Sequence, residues 1–118
     1  MIKDKNSEKR YEYNLKIRDI EQQSEELRYQ ERQLEQALGE FNHTMAQSFH
    51  RLIEIEDELT RRSGRNTLYN EIEQKRRHIL RLVENQQEEQ AVQFRKVQQQ
   101  LEDKREYFIK ERNQLPWD

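Results

Sequence analysis

The 118-residue chain is 31% hydrophobic and 39% charged, and its 22 basic and 24 acidic side chains leave a net charge of -2. So little apolar material excludes a thick globular core, and interleaved, nearly balanced charge excludes the basic footprint of a nucleic-acid binder and the high net charge typical of disordered chains. The absence of cysteine excludes disulfides and thiolate metal sites.

Residues 1–10 are polar and aperiodic and read as a frayed lead. They carry no apolar stretch behind their positive charges, and nowhere do roughly eighteen uncharged apolar residues run together, so neither a signal peptide nor a membrane span is expected. A cytoplasmic location follows as the expectation, with export by a route that reads no cleavable signal also compatible.

Helix one is predicted over residues 11–61. Its apolar seam reads Tyr13, Ile17, Ile20, Ser24, Leu27, Glu31, Leu34, Leu38, Phe41, Met45, Ser48, Leu52, Ile55 and Leu59, steps of three and four residues without a proline. The stretch 62–67 breaks that spacing. Gly64 is placed to end the helix in the left-handed conformation, and Asn66 or Thr67 to cap the next through a side-chain oxygen. Helix two is predicted over 68–115, with a seam of Tyr69, Ile72, Arg76, Ile79, Val83, Gln86, Gln90, Phe94, Val97, Leu101, Lys104, Phe108, Glu111 and Leu115. Successive four-residue steps at Gln86, Gln90 and Phe94 form a stutter that locally unwinds a left-handed supercoil. Pro116 stops the helix, leaving 116–118 as a tail.

Equal arms about one short turn define the fold class: all-α, a long antiparallel two-helix hairpin, coiled-coil-like. Folding about Gly64 sets Phe49, Leu52, Ile53 and Ile55 beside Ile72, Ile79, Leu80 and Val83, and Tyr13 near Leu115 and Trp117. Two helices cover little surface, and Phe49, Ile53, Leu80 and Leu82 fall off the seam, so the hairpin is expected to pair with further helices, its own copy or another chain, in a four-helix assembly. The stutter puts Gln86 and Gln90 opposite Leu38 and Phe41, leaving large side chains of helix one for a partner. The expected partner-binding set is Phe41, Met45, Phe49, Leu52, Ile53, Leu80, Leu82 and Phe94.

Chemistry is sparse. His50 falls roughly opposite His78 across the hairpin, but no carboxylate completes a ligand set, and these two with His43 read as surface residues. Glu40 and His43 have the spacing of one half of a di-iron motif whose other half is missing. Gly39 and Gly64 build no phosphate loop, and no serine or threonine has a histidine base in a pocket. The expectation is a protein without catalytic residues, metal, cofactor or small-molecule substrate. At the C-terminal end Tyr107, Phe108 and Ile109 cannot all face one seam, so they either seal the hairpin against Tyr11 and Tyr13 or offer a docking tip.

Tyr107 followed by Glu111 near the end of a second long helix resembles the Tyr-x-x-x-Asp/Glu signal of the small helical-hairpin proteins of type VII secretion, the Trp-X-Gly or Esx-like superfamily. Tyr69 and Glu73 share the spacing. The stretch 62–67 lacks the Trp-X-Gly element and the arms are longer than usual, which points to a divergent branch. The Glu- and Gln-rich arms and the ending Tyr-x-x-x-Glu-Arg-x-x-Leu-Pro-Trp are similar to the LXG-toxin-associated α-helical proteins. That resemblance implies an adaptor or targeting factor that binds the helical N-terminal domain of a toxin for type VIIb secretion, with Tyr107 and Glu111 as a secretion signal. The alternatives are a self-associating structural coiled coil and a holdase-type chaperone.

Overall fold

The structure, a computed structural model, describes residues 5–63 and 68–117. It is all-α: helix α1 spans Ser7–Ser63 and helix α2 spans Tyr69–Gln114, paired antiparallel as a hairpin. The expected caps at Gly64, Asn66 and Thr67 lie outside the described residues.

Helix α1 starts earlier than its apolar pattern. The Arg10 N–H donates to the Asn6 carbonyl at 2.9 Å, closing the first turn, and Glu8 places a carboxylate beside the positive end of the helix. Asn6 is held in turn, its Nδ2 donating to the Pro116 carbonyl at 2.8 Å. Polar anchoring thus extends the helix into a stretch where hydrophobic periodicity gives no signal.

The chain divides into two compact units. One comprises Met1–Arg32 with Val92–Asp118, the other Gln33–Ala91. In the first, Ile17, Ile20 and Leu101 are buried between the helices. Polar cross-links flank this core: Ser24 Oγ donates to Gln98 Oε1 at 2.9 Å, Arg112 to Asn14 Oδ1 at 2.9 Å, and Arg105 Nε to Glu21 Oε1 at 3.1 Å. The aromatic end closes with Phe108 against Tyr13, as the sealing of Tyr107, Phe108 and Ile109 against Tyr11 and Tyr13 implies. Tyr13 packs on Phe108, ring centroids 6.1 Å apart, while Trp117 lies under the Arg10 guanidinium at 3.6 Å.

In the second unit residues 42–49 of α1 and 76–83 of α2 line one narrow crevice of about 60 Å³, with Phe49 buried beside it. Here the register departs from the strict heptad reading. The half-buried or buried positions of α1 follow the expected seam through Leu38 and then run Asn42, Met45, Phe49, Ile53, Glu56 and Thr60. Phe41, Ser48, Leu52, Ile55 and Leu59 are exposed. On α2 the inward positions are Gln87 in this unit and Gln98 and Arg105 in the first, not Gln86, Val97 and Lys104. The cause is geometric. A straight helix has 3.6 residues per turn and drifts by ~20° per heptad from a 3.5-residue repeat, so over several heptads it must take extra four-residue steps to keep facing its neighbour.

Candidate helix-docking surface

The register shift leaves α1 with two adjacent stripes in the turn-proximal unit. The inner one contains Asn42, Glu56 and Thr60 among its apolar members; the outer one is Phe41, Ser48, Leu52, Ile55 and Leu59, with half-buried Met45 on the border of the two. The more apolar stripe is therefore the one that α2 does not cover. Phe41 is 46% exposed, Leu52 44%, Ile55 58% and Leu59 48%. A row of large apolar residues at coiled-coil spacing in water is the kind of surface that a further helix covers.

The expected partner-binding residues separate accordingly. Phe41, Leu52, Leu80 and Leu82 are exposed, Met45, Ile53 and Phe94 are half-buried, and Phe49 is part of the intramolecular core. At 100° per residue, Leu82 falls on the side of α2 that continues the outer stripe, whereas Leu80 falls on the opposite side. Tyr107 is exposed and meets Phe108 edge-on at 5.5 Å, with Glu111 one turn further along and half-buried.

Polar groups around the inner stripe carry its electrostatics. Glu56 is 3% exposed, and its Oε1 accepts the Leu68 N–H at 3.0 Å with Thr60 Oγ1 at 3.5 Å. A carboxylate of α1 thereby caps the start of α2, satisfying a donor that has no partner within its own helix. Nothing near Glu56 in sequence announces this role, because the group it serves belongs to the other helix. Asn42 Oδ1 and Gln90 Oε1 are shielded from solvent without a hydrogen-bond partner among the described residues.

Arg76 holds Glu73 with two hydrogen bonds, Nε at 3.3 Å and an Nη at 3.0 Å. Those bonds, with the Arg76 and Arg77 charges and against a smaller desolvation effect, lower the Glu73 pKa, and the Arg76 pKa rises for the reciprocal reason. A lowered carboxylate pKa stabilises the fold above its unfolded value, and that contribution is lost as pH falls through the folded one. Glu73→Gln is accordingly expected to melt below the wild type at neutral pH, with the gap closing as the medium is acidified past the ordinary carboxylate range. Thermal melts across that range test it, and a gap that persists or widens in acid would contradict the pairing.

His50 pairs with Glu54 on its own helix at 3.0 Å, and His78 lies beside Glu71, Gln74 and Lys75 of α2. Among the described residues no group of three or more histidines and carboxylates is placed to hold a metal ion, and no helix is long and apolar enough to cross a membrane. Compared with family models, curated proteins and solved structures, the chain matches none.

Proposed function

We propose that the protein is a non-enzymatic helical-hairpin adaptor that binds a helical partner along the turn-proximal face of α1. The observation that carries this reading is the exposed stripe Phe41, Leu52, Ile55 and Leu59, more apolar than the stripe α2 covers. Such a face fits an amphipathic helix presenting apolar residues at three- and four-residue spacing. The resemblance to LXG-toxin-associated proteins names the partner class, the helical N-terminal domain of a toxin bound for type VIIb secretion. It also gives Tyr107 and Glu111 their role as the export signal. The exposure of the Tyr107 ring supports that assignment, because a receptor has to reach it.

Co-expression with the product of the adjacent reading frame, followed by capture on a tag, tests the adaptor. Phe41→Asp and Leu52→Asp are expected to reduce capture ~100-fold or more, since each places an unpaired carboxylate in a seam that becomes dry on binding. Helicity should survive, because both residues are exposed in the free hairpin. Tyr107→Ala is expected to bind normally and to be exported poorly. Capture unchanged by either aspartate rejects the face, and parallel loss of capture and export in Tyr107→Ala rejects the signal.

A further inference from the structure

The outer stripe of α1 is its own complement. Phe41, Met45, Ser48, Leu52, Ile55 and Leu59 are separated by steps of 4-3-4-3-4 residues, a sequence of steps that reads the same in both directions. Laid antiparallel on a second copy, Phe41 meets Leu59, Met45 meets Ile55 and Ser48 meets Leu52, and the midpoint of every pair is residue 50.

Helix α2 gives the same centre independently. Residues 42–49 lie against 76–83, and Glu56 against Leu68, so position 50 of α1 is level with about position 75 of α2. Residue 75 is the midpoint of two exposed leucines: Leu82, which helical phase places on the same side as the α1 stripe, and Leu68, which immediately precedes α2 and accepts the Ile72 N–H through its carbonyl. One two-fold axis crossing the hairpin at this level therefore pairs the α1 stripe with its copy and Leu68 with Leu82 of the second copy. Nothing in the intramolecular packing requires the two helices to agree on this centre.

We propose that the occupant of this face in the isolated protein is a second copy of the chain, held as a two-fold antiparallel homodimer whose turn-proximal units form a four-helix bundle. Area supports it. Phe41, Leu52, Ile55, Leu59, Leu68 and Leu82 are each about half exposed. Covering these six on both copies removes on the order of 1,000 Å² of apolar surface, the lower bound for a specific interface before their neighbours are counted. On the flank away from α2, Thr44 meets Glu58 of the second copy, and like charges meet at Arg51 beside the axis, at the solvated rim where long side chains can swing apart. The proposal rests on the reading of this face as a helix-docking surface and adds its regulation: a heterologous helix must displace the second copy, so self-association and partner binding compete.

The full chain has no cysteine, which makes the arrangement directly testable. Sedimentation equilibrium at micromolar concentration is expected to give twice the chain mass of 14.8 kDa, and Leu52→Glu to return the single-chain mass with its helical circular dichroism intact. Phe41→Cys mixed with Leu59→Cys is expected to form thiol-crosslinked dimers, while either variant alone forms few. A wild type of single-chain mass overturns the homodimer, and so does crosslinking of each variant alone, the signature of a parallel pair. Neither result touches the adaptor reading, which depends on capture of a different chain; a dimer that no heterologous helix displaces overturns the adaptor and keeps the dimer.

Discussion

Phe49→Ala is expected to destabilise the protein by about 3 kcal/mol, the lower part of the range for deleting a buried phenylalanine, because a two-helix interface relaxes into a cavity more readily than a thick core. Leu52→Ala, three residues further on, is expected to cost less than about 0.5 kcal/mol in dilute solution. Phe49 lies between the helices beside Arg76 and Ile79, whereas Leu52 is nearly half exposed. Urea denaturation over a range of protein concentrations separates the two roles. The Phe49 loss should be the same at every concentration, and the Leu52 loss should grow as self-association begins to contribute. Losses of equal size in dilute protein would restore the strict heptad seam and remove the outer stripe.

That contrast shows where the sequence is legible. The two long helices and their antiparallel pairing follow from periodicity and from its interruption between residues 62 and 67. On α1 the seam holds through Leu38, and the extra four-residue steps come after it, to Asn42 and to Ile53. Beyond it, continuing the heptad follows Phe41, Leu52, Ile55 and Leu59, the stronger apolar signal, while the helix turns Asn42, Phe49, Ile53 and Glu56 inward. Hydrophobicity marks which stripes are sticky but carries no information on which of two adjacent stripes meets which helix. Phe49 and Leu52 both read as partner-facing from their sequence spacing, and the register separates them. Long-range polar contacts were hidden for a different reason. Ser24 with Gln98 and Arg10 with Trp117 depend on pairing across more than seventy residues of chain, and their side chains have no local pattern.

Glu56→Ala is expected to destabilise the protein by about 1 kcal/mol, the typical cost of removing a helix-capping acceptor. The Leu68 N–H loses its acceptor at 3.0 Å, and the first turn of α2 loses the negative charge facing its positive end. Glu56→Gln separates these two contributions. Its side-chain oxygen can still accept from Leu68, so it should retain most of the stability if hydrogen bonding dominates. Amide exchange at Leu68 should accelerate in the alanine variant well beyond the change at Leu101, which is buried in the other unit. If glutamine proves as damaging as alanine, the carboxylate acts through its charge; if both are neutral, α2 begins without help from α1. The predicted order, wild type then glutamine then alanine, follows from Glu56 acting chiefly as an acceptor for the Leu68 N–H.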